Sequence, residues 1–156
     1  MSLVAIGMNH KTASLDIREK FSLDKDESHK ILKKLHGMPI IEEVFLLSTC
    51  NRTEIYCEIE DLRYVKNISR WLLKQKGLSI REFEGYIYSY SDSSVVKHAL
   101  SVASGLDSMV IGESQILSQL KNAFNEANHA ETIGKNLDRL FQYAFSTAKE
   151  VRTDTK

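Results

Sequence analysis

The hydrophobic period of this chain mixes strand and helix patterns up to about Ser91 and is helical beyond it, and that change limits the folds open to it more than any other feature. Before it, short apolar runs and alternations are broken by two stretches of helical spacing. After it, only helical spacing is found. Leu3 to Met8 reads as a first strand running into a loop, Asn9-His10-Lys11-Thr12. Asp24 with Glu27 three residues on signals a helix start, and Ile31, Leu32 and Leu35 recur at helical spacing until Gly37 and Pro39. Val44 to Leu47 is a continuous apolar run suited to a buried strand, whereas Ile55, Cys57 and Ile59 alternate with Glu54, Tyr56 and Glu58 as a half-buried strand does. Val65, Ile68, Trp71 and Leu72, closed by Gly77, give a second helix, and Phe83 to Tyr90 a last strand-like stretch.

The order strand, helix, strand, strand, helix, strand is the split βαβ pattern of a ferredoxin-like sheet with helices on one face. Beyond Ser91, three helices are expected. Val95, Val96, Ala99, Leu100 and Ala103 mark the first; Ile116, Leu117, Leu120, Phe124 and Ala127 the second; Leu137, Leu140, Phe141, Ala144, Phe145, Ala148 and Val151 the third. The expected class is therefore α+β: a sheet lobe over about residues 1–90 and a helical lobe over about 91–152 packed on it, with the cleft between them a natural site.

Twenty-one basic residues balance twenty-one acidic ones, so no global field draws the chain to nucleic acid or an anionic membrane, and any RNA contact must be local. No apolar segment approaches the length of a membrane span and the N-terminus lacks a signal-peptide pattern, so no membrane partner and a cytoplasmic location are expected. The two cysteines, Cys50 and Cys57, have neither zinc nor Cys-x-x-Cys spacing, which disfavours both a metal and a disulfide.

Chemistry concentrates in Leu46-Leu47-Ser48-Thr49-Cys50-Asn51-Arg52-Thr53-Glu54-Ile55-Tyr56, where an apolar run delivers one cysteine into small polar and charged neighbours at the junction of two strands. A free cysteine with pKa near 8.5 is only about 3% thiolate at neutral pH, so a nearby cation such as Arg52 would enlarge the reactive fraction. The plain alternative is a small packed thiol. His98 falls at helical spacing between Val95 and Val102, partly turned to the apolar stripe, where a core histidine is the usual explanation; an imidazole near a cysteine also tunes thiols and moves protons in acyl transfer. His10, alone in its loop, reads as surface or hydrogen-bonded structure and is given no role. Ala103-Ser104-Gly105-Leu106-Asp107-Ser108-Met109-Val110-Ile111-Gly112-Glu113-Ser114-Gln115-Ile116 joins the first two late helices and is dense in small and polar residues. Gln115 and Gln119 then share a helix face with Asn122 and Glu126, which by itself reads as a solvated face.

Ser48 to Tyr56, Ala103 to Ser108, Gly112-Glu113, Gln115-Ile116 and the opening Gly7-Met8-Asn9-His10-Lys11-Thr12-Ala13 together resemble the signatures of the glutamyl-tRNA reductase family, in family order and across nearly the whole chain. The resemblance implies an N-terminal catalytic domain over 1–152, with 153–156 opening a linker to NADPH-binding and dimerisation domains beyond the chain. It implies an enzyme of tetrapyrrole biosynthesis, on the route to 5-aminolevulinate, porphyrin and heme. In that family a cysteine attacks the aminoacyl ester of glutamyl-tRNA and holds glutamate as a thioester, which NADPH reduces to glutamate-1-semialdehyde. Cys50 stands in the nucleophile's motif, and His98 matches a position important for activity. Thr49, Asn51, Arg52, Ser108, Glu113, Ser114, Gln115 and Gln119 match substrate contacts. The implied partners are glutamyl-tRNA, a second copy of the full-length chain through C-terminal helices, and the downstream aminomutase.

The chain departs from the family pattern at Ser14 and Ser114, where proline is usual, which alters turn rigidity more than chemistry. Its seven glycines contain no Gly-x-Gly pair, so the dinucleotide fingerprint is missing and NADPH is expected to need the further domain. Three functions fit the residues: a thioester-forming domain acting on glutamyl-tRNA, another cysteine-dependent acyl transferase or hydrolase, and a noncatalytic binding module in which Cys50 is merely packed. A first prediction separates the last from the others: under native conditions Cys50 should alkylate faster than Cys57, and mass-mapped labelling with equal rates or the reverse order would count against an accessible nucleophile.

Overall fold

The computed structural model describes residues 1–108 and 115–154. The first strand, β1, spans Ser2–Asn9 and is followed by a short helix α1, Leu15–Phe21. The longer helix α2, Lys25–His36, begins where the Asp24 signal places it. The Asp24 carboxylate accepts the Glu27 N–H at 2.8 Å and the Glu27 carboxylate accepts the Asp24 N–H at 3.3 Å, a reciprocal capping box. Strands β2, Ile41–Ser48, and β3, Arg52–Ile59, form a hairpin. Helix α3, Val65–Gln75, a single-turn helix α4, Ile80–Phe83, and strand β4, Tyr88–Ser91, complete the sheet lobe.

The sheet is fully antiparallel in the order β2-β3-β1-β4, the arrangement the split βαβ reading requires. The last strand is shorter than its composition suggests. Ser79 caps α4 by accepting the Glu82 N–H, and a further short turn covers Glu84–Tyr86, so Phe83 to Tyr86 are wound into turns and only Tyr88–Ser91 pair with β1. Helix α1, which carries no long apolar stripe, was not signalled by periodicity.

The two lobes meet at Asp92, whose N–H donates to the Leu3 carbonyl at 2.8 Å and whose carboxylate accepts the Leu3 N–H at 3.2 Å. From there run α5, Ser93–Ala103, α6, Gln115–His129, and α7, Lys135–Asp154, matching the three expected helices. The register assigns each strand residue to a face. Val4, Ile6, Val44, Leu46, Ile55 and Cys57 point to the side of α1, α2 and α3, as the ferredoxin-like expectation has it. Phe45, Arg52, Glu54 and Tyr56 point to the other side, which the helical lobe covers: Phe45 and Tyr56 pack their rings on Phe141, and Phe45 also on Phe124. For this reason β3 is not half-buried as its alternation suggests; Glu54 and Tyr56 are as inaccessible as Ile55 and Cys57.

Two local devices seat the lobe. The Glu43 carboxylate accepts N–H groups of Gly134, Asn136 and Leu137 at 2.7–3.2 Å, capping the N-terminus of α7. Gly7 on β1 faces Glu54 across the sheet, and a Cβ built there would lie 2.6 Å from the Thr53 carbonyl oxygen and 2.7 Å from Glu54 Cγ. A methyl group at Gly7 therefore needs the backbone to move. Gly7→Ala should destabilise the domain by about 1–3 kcal/mol, the usual cost of overpacking. Chemical denaturation is the check, and an unchanged midpoint would show that the sheet opens freely at this point.

Candidate active site

Cys50 occupies the turn between β2 and β3 and is exposed, whereas Cys57 is fully buried, with burial pushing its thiol up to about 12. The turn is held from within by Thr49. Its N–H donates to the Arg52 carbonyl at 2.7 Å, and its hydroxyl accepts the N–H groups of Asn51 and Arg52 at 3.2 Å each. It is held from outside by two neighbours: His10 N–H donates to the Asn51 carbonyl at 3.1 Å, and Arg18 Nε donates to the Cys50 carbonyl at 3.2 Å. Arg18 also reaches the Ala13 carbonyl, which ties α1 to the same turn. The cation touching the cysteine residue is thus Arg18.

Arg52 instead points inward beneath the helical lobe and is 1% exposed. Its Nη2 donates to the Asp107 carbonyl at 2.6 Å and to the Asp107 carboxylate at 2.9 Å. Its Nη1 lies 3.4 Å from the Glu54 carboxylate yet makes no hydrogen bond among the described residues. Asp107 also takes Lys11 Nζ at 2.7 Å, so one carboxylate joins the loop after β1, strand β3 and the turn after α5. That turn is shaped by Gly105 at φ 81°, with the N–H groups of Leu106 and Asp107 both donating to the Ser101 carbonyl.

Glu54, two residues along β3, is the hub of the buried charges. Its carboxylate accepts from the Tyr56 hydroxyl at 2.9 Å and the Tyr88 hydroxyl, and lies 2.5 Å from His98 Nε2. Burial works to raise its pKa, but the His98 hydrogen bond and the Arg52 charge outweigh it and hold the carboxyl below its ordinary value. Burial likewise opposes ionisation of Asp107, and the Lys11 and Arg52 bonds prevail there too. Burial and the Glu54 charge together raise both tyrosines. His98 is clamped flat on Tyr90, with ring centroids 4.4 Å apart, and edge-on to Tyr88.

The expected site residues thus separate into groups. Thr49, Cys50, Asn51 and Arg52 form the turn; Ser108 follows directly on the Asp107 that Arg52 binds; His98 reaches the group through Glu54. Gln119 lines a groove of about 270 Å³ beside Ser48, with Leu23, Ser28 and Asn122, while Gln115 is exposed in the first turn of α6. Glu113 and Ser114 lie outside the described residues. Asp107, Glu54, Arg18 and Tyr88 were not singled out from sequence. Only Glu54 carried a readable signal, since on a strand it must share a face with Arg52 two residues earlier.

Comparison with known proteins decides the family. The family profile described as Glutamyl-tRNAGlu reductase, N-terminal domain, matches residues 6–155. The chain belongs to the glutamyl-tRNA reductase family. Glutamyl-tRNA reductases of Shewanella sp. (strain W3-18-1) and Shewanella frigidimarina are 47% and 48% identical to it over all 156 residues. The solved glutamyl-tRNA reductase from Methanopyrus kandleri superposes with a TM-score of 0.77 at 27% identity, over 97% of this chain and 34% of that one. The chain spans 37% of the length of those Shewanella relatives. Among the described residues no helix is long and apolar enough to cross a membrane, and no group of three or more His, Cys, Asp or Glu side chains is placed to hold a metal.

The sign of the pH dependence follows from the two depressed carboxyls. A group whose folded pKa is below its unfolded value contributes stability above the unfolded value, about 4 for these residues, and loses it as pH falls through the folded one. Unfolding free energy should therefore decline below about pH 4. Glu54→Gln should remove about 1–3 kcal/mol at neutral pH, because it takes away the carboxylate charge that faces Arg52 Nη1 and leaves Asp107 to balance the buried guanidinium, and should flatten that decline. Urea titrations between neutral and acid pH measure both effects; parallel curves for variant and wild type would place the acid sensitivity elsewhere.

Proposed function

We propose that this chain forms a glutamyl thioester on Cys50 from glutamyl-tRNA, as the catalytic domain of an NADPH-dependent reductase that supplies glutamate-1-semialdehyde to tetrapyrrole biosynthesis. The observation that carries the reading is the pairing of an exposed thiol on a doubly tethered turn with a buried guanidinium, two residues away, one nitrogen of which makes no hydrogen bond among the described residues. Family membership supplies the acyl donor.

The thiolate of Cys50 attacks the ester carbonyl carbon, the carbon–sulfur bond forms, and the ribose oxygen departs. Arg52 Nη1 is the anchor for the side-chain carboxylate of the glutamyl group, since a guanidinium nitrogen that makes no hydrogen bond among the described residues favours an anionic acceptor in a dry setting. Asp107 and Glu54 hold the guanidinium in place for it. His98 acts through Glu54, keeping that carboxylate charged, and is a positioning residue in this scheme. Ser108 and Gln119 border the approach, with Thr49 and Asn51 shaping the turn; Glu113, Ser114 and Gln115 are assigned to substrate contact by their motif.

Reduction needs a hydride donor, and this chain has no Gly-x-Gly pair to cradle a dinucleotide. NADPH binding is therefore assigned to the part of the longer relatives that the chain does not cover, as are pairing with a second copy and contact with the aminomutase. Cytoplasmic location accords with free thiols.

The test is to mix the protein with tRNA carrying labelled glutamate and to map the label by mass. It should sit on Cys50, be absent from Cys50→Ser, persist in Cys57→Ser, and yield no aldehyde when NADPH is added. Arg52→Lys should lose about 1–3 kcal/mol of transition-state binding, since an ammonium cannot offer the planar fork. Label on Cys57, or full deacylation by Cys50→Ser, would overturn the reading.

A further inference from the structure

We propose that His10 is the proton-transfer group for Cys50, accepting the thiol proton on Nδ1 and passing it to the oxygen that leaves the acyl carbon. The proposal rests on the thioester reading above and adds the step that reading leaves without a residue.

His10 is the first residue beyond β1, and its N–H bond to the Asn51 carbonyl fastens it to the turn that carries Cys50. Its Nδ1 is buried and has no hydrogen-bond partner among the described residues, although the residue as a whole is not fully enclosed. An imidazole nitrogen withdrawn from water and left unpaired carries a desolvation cost that a donor arriving at the site would recover. The groups facing it come from four elements: Arg52 from β3, Asp107 from the turn after α5, Lys11 from its own loop and Arg18 from α1. The single carboxylate among them is already engaged by Lys11 and Arg52. Burial first, and then the Arg52 charge, lower the His10 pKa, with only Asp107 opposing.

A neutral imidazole is the form a general base requires, and once it holds the thiol proton the same ring is the acid that returns it. His98 lacks that freedom. Its Nε2 is committed to Glu54, and its ring is fixed between Tyr88 and Tyr90. The step balances: the sulfur–hydrogen bond breaks and its proton goes to His10 Nδ1, the thiolate displaces the ribose oxygen, and that oxygen leaves with the proton from His10. Thiol and ester become thioester and alcohol with no other reactant.

The experiment measures single-turnover transfer of labelled glutamate from glutamyl-tRNA to Cys50 from about pH 5.5 to pH 9, in wild type and His10→Gln. The variant should transfer about 10²- to 10⁴-fold more slowly and lose the rise of rate with imidazole deprotonation, while still folding and still alkylating at Cys50. Wild-type rate should track the His10 ring titration followed by NMR, which decides the matter even where the variant is unstable. Transfer by folded His10→Gln at the wild-type rate, or a wild-type rate indifferent to the His10 titration, overturns this proposal and leaves the thioester reading intact. Failure of wild type to place glutamate on Cys50 overturns both.

Discussion

The structure depends on a guanidinium and a carboxylate kept out of water on one face of a sheet. Arg52 and Glu54 lie under the helical lobe with almost no exposure, a location where unpaired charges would each cost several kcal/mol. Each is therefore surrounded. Glu54 has His98, Tyr56, Tyr88 and the edge of Arg52; Arg52 has both the carbonyl and the carboxylate of Asp107. Those partners come from β3, β4, α5 and the turn after it, so satisfying two buried charges fixes where the helical lobe sits on the sheet. The turn that carries Cys50 inherits that rigidity, because it runs directly into Arg52, the first residue of β3.

Much of the scaffold was legible in the sequence because periodicity and caps are local. Asp24 and Glu27 announced α2, the stripes of α5, α6 and α7 appeared where expected, and the strand and helix order gave the sheet topology. What escaped was non-local. The Glu54 and Tyr56 positions read as solvent-facing because polar residues on a strand usually are; only the arrival of α5 and α7 on that face buries them. Phe83 to Tyr86 read as strand from composition, and lost to the turn chemistry that Ser79 starts.

The same distinction holds in the candidate site. Motif resemblance located Cys50 and its neighbours, yet it could not say that the arginine two residues after the cysteine is buried on Asp107, or that a different arginine, thirty-two positions before the cysteine, touches the Cys50 backbone. Nor does sequence spacing reveal that His98 is bonded to Glu54 while His10 Nδ1 has no partner among the described residues. Side-chain direction and occupancy are properties of the assembled face.

Because both lobes spend their polar groups on each other, neither is modular. A sheet lobe severed after Ser91 would present Phe45 and Tyr56 to solvent along with a carboxylate and a guanidinium arranged for partners that had gone. Recombining lobes from different relatives must therefore carry Gly7, Arg52, Glu54, His98 and Asp107 as one inherited set, for the seam between the halves of this domain runs through its charges and not around them.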